Sequence, residues 1–201
     1  MNLPNKITLT RIFMIPVFVI VFFLDGVLPY NYIIAAVIFA LAACTDFIDG
    51  HIARSRGLVT NLGKFLDPIA DKVLVSTAML VLMTIPGLFY ANLDFDAAET
   101  AYKLFAVCIC VIMARELIIS AFRQIAAARG LVLAAEKLGK YKTAFQDVSI
   151  AVLLVAADVT GNVGEIIFWV GIALFAVATV LTVWSGISYV VKNKQVLKDA
   201  D

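Results

Sequence analysis

Four aspartates stand in two helix-spaced pairs. Asp46 and Asp49 are three residues apart, and Asp67 and Asp71 are four apart. On a helix either spacing puts both carboxylates on one face, one turn from each other. The acids sit in two apolar runs joined by a short connection, so two neighbouring antiparallel helices each present a pair. Repulsion and desolvation oppose keeping four such carboxylates ionised together. Divalent cations resolve the conflict. Oxygen donors without His or Cys suit Mg²⁺ or Mn²⁺ rather than zinc, and two metals bridged by carboxylates form a recurring clamp for displacement at phosphorus. Gly50 and Gly63 allow a ligand or another backbone to come close. Arg54 brings a fixed cation whose fork suits phosphate. The plainer reading, acids that only pair with bases to assemble a bundle, needs more nearby cations than this stretch contains.

The elements that must position these residues are membrane helices. Of the 201 residues, 63% are hydrophobic and 15% charged, far from the balance of a water-soluble domain. Each span needs about 20 apolar residues, and six segments qualify: 8–25, 32–53, 64–86, 101–122, 141–159 and 165–190. Continuous runs of this length favour helices, whose backbone groups find partners internally. Between them lie Pro29 and Asn31, Arg56 and Gly57, Pro86 and Gly87, Arg129 and Gly130, and Gly161 and Asn162. The expected fold is an all-α polytopic membrane protein of six transmembrane helices in a single domain spanning 1–201.

Charge sets the orientation. Lys6, Arg11, Arg54, Arg56, Lys64, Arg123, Arg129, Lys137, Lys140, Lys142, Lys192, Lys194 and Lys198 fall at one side of the spans. Asp25, Asp94, Asp96, Glu99, Asp158 and Glu165 fall at the other, with Lys103 alone against them. Both termini are therefore expected in the cytoplasm, as an even number of spans requires, and the aspartates lie just inside the cytoplasmic interface. The first apolar run lacks a small-residue cleavage site and reads as a retained helix. Cys44, Cys108 and Cys110 lie in apolar runs without zinc-type spacing and read as small core residues. No nucleic acid partner is expected.

The pattern Asp-x2-Asp-Gly-x2-Ala-Arg-x8-Gly-x3-Asp-x3-Asp resembles the signature of the CDP-alcohol phosphotransferase family. Here it is carried by Asp46, Asp49, Gly50, Ala53, Arg54, Gly63, Asp67 and Asp71, without departure. The resemblance implies that Asp46, Asp49 and Asp67 hold one divalent cation and that Asp46, Asp67 and Asp71 hold a second. It makes Asp71 the general base as well. It places Gly50, Ala53, Arg54, Thr60 and Gly63 along the CDP end of the donor. The segment with Asn5, Thr8 and Arg11 resembles a family stretch near the cytidine. A homodimer is a further implication, and Ala35, Ala36, Ala40, Ala42 and Ala43 could pack within or between subunits.

Further cues resemble bacterial members that take CDP-diacylglycerol as donor and glycerol 3-phosphate as acceptor: the opening residues 2–11, the run from Arg115 and Glu116 to Arg123, and Gly139 to Thr143. A small dianionic acceptor needs fixed cations. Arg115, Arg123, Lys140 and Lys142 are the expected acceptor-phosphate residues, with Glu116 expected to point elsewhere around its helix. The resemblance thus implies transfer of a phosphatidyl group at the cytoplasmic face of a bacterial cell membrane. Inositol phosphate, serine or phosphatidylglycerol are the alternative acceptors. A divalent-cation transporter is a remoter reading, opposed by acids at an interface rather than the midplane. His51 reads as a packing or interface residue, Trp169, Trp184 and Tyr189 as packing and interfacial anchors, and Gly161 and Gly164 as loop punctuation. Gln146 and Asp147 receive no role.

Overall fold

The computed structural model describes residues 3–55, 61–128, 131 and 137–196. Every described element is helical: α1 (Leu3–Phe22), α2 (Asn31–Ser55), α3 (Asn61–Leu82), a single turn α4 (Gly87–Tyr90), α5 (Phe95–Ala128), α6 (Lys137–Asp158) and α7 (Gly161–Lys192), with a closing 3₁₀ turn at Lys194–Val196. The six long helices stand where six apolar segments were expected. Three contain runs long and apolar enough to cross a membrane: Asn5–Phe22, Phe95–Ala127 and Gly161–Lys192. In α2 the apolar stretch among the described residues is Asn31–Thr45. α3 and α6 begin with charged turns.

The far ends of α1, α2 and α6 are stitched together by polar caps. Helix termini leave backbone groups without partners. Asn31 donates its side-chain amide to the carbonyl of Phe22, 2.7 Å away, closing the end of α1. The start of α2 needs an acceptor, and the preceding residue, Tyr30, has a left-handed backbone (φ 57) and no capping side chain. Asp158, at the end of α6, supplies the acceptor. Its Oδ2 accepts from the backbone N–H of Ile33 at 2.7 Å, where a carboxylate also complements the helix dipole.

Small residues set the approach of α7. Its buried positions include Gly164, Phe168, Gly171, Phe175, Ala178, Thr182, Ser185 and Tyr189. They alternate at three and four residues, the spacing of a helix that packs along a continuous seam. A Cβ at Gly171 would stand 2.7 Å from the end of the Leu153 side chain of α6, which would have to shift to admit a larger residue. Gly164 is not loop punctuation as the sequence suggested. It lies inside the first turn of α7, where a Cβ would meet the Val159 carbonyl oxygen at 2.0 Å. Gly161 does open the helix, at φ +73.

The core runs through the middle of the bundle, from Phe18 and Phe39 through Met79 and Ile109 to Leu153 and Phe175. α4 tucks Phe89 against Tyr102, Phe105 and Phe168, with edge contacts to Tyr102 and Phe168. Outer faces carry exposed Phe13, Leu104, Leu117, Val180 and Ile187, the side chains expected to meet lipid tails. Trp169 and Trp184 are exposed among them, whereas Tyr189 is buried. Ala35, Ala36 and Ala42 are buried within the chain's own packing, and Ala40 faces outward.

Candidate active site

α1 brings a polar stripe to the aspartates. Asn5, Thr8 and Arg11 recur every third residue, so they share one face of an otherwise apolar helix. All three are buried, Thr8 and Arg11 completely. The Thr8 hydroxyl donates to Asp67 Oδ1 on α3 at 2.7 Å. Arg11 Nε donates to Thr45 Oγ1 on α2 at 3.1 Å, one residue before Asp46. Thr45 in turn donates to the Ala42 carbonyl. One face of α1 thereby holds the segments of α2 and α3 whose backbone carries the two aspartate pairs.

On α3, Gly63 is buried, and Asp67 and Asp71 are half-buried. The last turns of α2 carry Asp46, Asp49, Gly50, His51, Ala53 and Arg54 in helical backbone, but their side chains lie outside the described residues, and Thr60 lies outside them altogether. Among the described residues no group of three or more His, Cys, Asp or Glu gathers as a metal site. The chemistry of the donors on α3 does fit a hard cation: two carboxylates one turn apart, one of them oriented by a neutral hydroxyl.

A second cluster joins α5, α6 and α7. Arg115 and Glu116 are adjacent, and their Cα–Cβ directions diverge around the helix. Their long side chains nonetheless converge. Arg115 Nη1 donates to Glu116 Oε1 at 3.0 Å, and Lys142 Nζ of α6 donates to the same oxygen. The expectation that Glu116 points away from this group is thus wrong. Sequence spacing describes where Cβ atoms lie, whereas guanidinium and carboxylate reach several bonds further. Arg115 Nη2 donates to Ser185 Oγ on α7 at 2.9 Å. Its stem crosses Gly186, where a Cβ would come within 3.0 Å of Cγ. Lys142 is near enough to Asp71 for their charges to attract, and Lys72 acts likewise on Glu116. The basic cluster therefore neighbours the aspartates of α3.

Arg123 and Lys140 stand apart from this cluster. Arg123 is exposed, donates Nε to Tyr189 Oη at 3.2 Å, and lies 5.2 Å above that ring. Lys140 is exposed on the first turn of α6. Arg11 was named in the sequence with Asn5 and Thr8, but its bond to Thr45 was not. Nothing in the sequence marks Ser185 or Gly186 as neighbours of Arg115.

The match to known proteins covers nearly all of this architecture. The model of the CDP-alcohol phosphatidyltransferase family matches residues 1–184. A protein of Bacillus subtilis (strain 168) named CDP-diacylglycerol–glycerol-3-phosphate 3-phosphatidyltransferase is 36% identical over 214 aligned positions, covering 100% of this chain and 99% of that one. Its counterparts of the same name in Escherichia coli (strain K12) and Rickettsia typhi are 39% and 34% identical, each covering 94% of this chain and 92% and 94% of their own length. By these matches over its full span, the chain belongs to the CDP-alcohol phosphatidyltransferase family.

Proposed function

We propose that this protein transfers the phosphatidyl group of CDP-diacylglycerol to glycerol 3-phosphate, yielding phosphatidylglycerol phosphate and CMP. The observation that carries the reading is the shared name of relatives 34–40% identical along almost the whole chain. In this reading the domain spans 1–201 as a six-helix membrane bundle of a bacterial cell membrane, a homodimer with both termini and the active site at the cytoplasmic face. The donor's acyl chains lie in the bilayer beside the exposed helix faces.

Asp46, Asp49, Asp67 and Asp71 would hold two divalent cations, Mg²⁺ or Mn²⁺. When bound, these supply electrostatic stabilisation of the phosphate charges. The chain's own residues do the rest. Asn5, Thr8, Gly50, Ala53, Arg54, Thr60 and Gly63 line the CDP end of the donor. Arg115 and Lys142 receive the acceptor's phosphate, and Arg123 and Lys140, expected there from the sequence, stand apart from that pair. Asp71 takes the proton of the acceptor's primary hydroxyl. That oxygen forms a bond to the donor's β-phosphorus, the bond from phosphorus to the CMP oxygen breaks, and CMP leaves. Such transfers gain mainly from positioning and charge, which suits a site whose described parts are tied by hydrogen bonds.

An acceptor panel tests the proposal. Purified protein in detergent with Mg²⁺ and CDP-diacylglycerol is offered glycerol 3-phosphate, inositol 1-phosphate, serine and phosphatidylglycerol, and CMP release is recorded. Release with glycerol 3-phosphate alone, stopped by a chelator and restored by Mg²⁺ or Mn²⁺, is the expected result. Release only with another acceptor would overturn the substrate, and activity indifferent to chelation would overturn the metal ligands.

A further inference from the structure

We propose that Glu116 is a positioning residue for the acceptor. It ties Arg115 and Lys142 into one fixed pair of cations that receives the acceptor's phosphate, an inference resting on the reading of those two residues as the acceptor pocket. Long basic side chains lose considerable rotamer freedom when they are fixed. A pocket made of two loose cations would pay that ordering cost every time substrate bound. Here it is met in advance. Glu116 Oε1 accepts from both cations, on two different helices. Ser185 holds the other arm of the guanidinium, and Gly186 leaves room for the Arg115 stem.

The cluster is held but not saturated. Glu116 and the nearby Asp71 stand among Arg115, Lys142 and Lys72, two carboxylates among three cations, which leaves one positive charge over. Lys142 has three N–H donors and directs one at Glu116. Arg115 Nε is buried and has no hydrogen-bond partner among the described residues. A network that served only to neutralise buried charge would balance and use its donors, because an orphaned buried donor is costly. The surplus charge and spare donors match an incoming oxyanion, which charge-assisted hydrogen bonds would then bind.

The test is steady-state CMP release by the purified full chain with Mg²⁺, varying each substrate in turn. Glu116→Gln should raise the KM for glycerol 3-phosphate about tenfold, the loss of roughly one charge-assisted hydrogen bond, and leave that for CDP-diacylglycerol within about twofold. In a Lys142→Ala background the same change should cost less than about threefold, since the pair it arranged is gone. An unchanged acceptor KM, or donor and acceptor KM rising together, would overturn the role of Glu116. Lys142→Ala without effect on the acceptor KM would instead overturn the pocket on which it rests. Should Glu116→Gln fail to fold, Glu116→Asp carries the test, with a several-fold rise confined to the acceptor.

Discussion

Asp67 and Asp71 share a helix face but not a setting. One oxygen of Asp67 accepts a hydroxyl hydrogen bond from Thr8, which orients the carboxylate as a metal ligand requires. Asp71 lies toward Lys142 and so toward the cations assigned to the acceptor, where a base would meet the acceptor's hydroxyl. Asp71→Asn should lower kcat for CMP release by at least about a hundredfold, the usual span of a lost general base. A near-normal rate in that variant would remove Asp71 from this role. The aspartate pairs were legible in the sequence because their spacing puts each pair on one face wherever a helix forms, whereas Thr8 was legible only through the resemblance of its segment. Glu116 was not. Its partner Lys142 is 26 residues away on another helix, and that convergence depends on how α5 and α6 pack.

Between elements, the most informative contact is the cap that Asp158 provides. The sequence offered this acid as one of several marking the outer side of the membrane. The structure gives it a bond to the third residue of α2, 125 positions away in the chain. Asp158→Ala should lower unfolding stability by about 1 kcal/mol, seen as a lower midpoint of thermal unfolding in detergent. CMP release well below that midpoint should stay near wild type. An unchanged midpoint would show that water caps α2 equally well. Helix existence was legible from the apolar runs, since long runs leave few alternatives in lipid. The ends were less so: α5 and α7 extend beyond the expected segments at both ends, and α4 appears in what read as a turn. Such details follow from packing. Phe89 is buried by rings on α5 and α7 that no local pattern predicts.

For the whole molecule, the alternation of charge was read from sequence alone and yields an orientation. Lys103, the one cation on the acidic side, is matched by Glu99 at 2.6 Å, so that side carries no surplus positive charge from it. In a background with Cys44, Cys108 and Cys110 replaced, Asp94→Cys should react with a membrane-impermeant thiol reagent on spheroplasts. Lys194→Cys should react only after lysis. The opposite pattern would invert the protein in the membrane. Contacts around the aspartates run among α1, α2 and α3, through Thr8–Asp67 and Arg11–Thr45. Contacts around the basic cluster run among α5, α6 and α7, through Glu116, Lys142 and Ser185. On the proposed roles, donor chemistry and acceptor choice belong to separate halves of one chain. Mutation in the later half could then drift toward new alcohols while the earlier half keeps its reaction, an inheritance suited to a lineage that diversifies head groups from a single activated lipid.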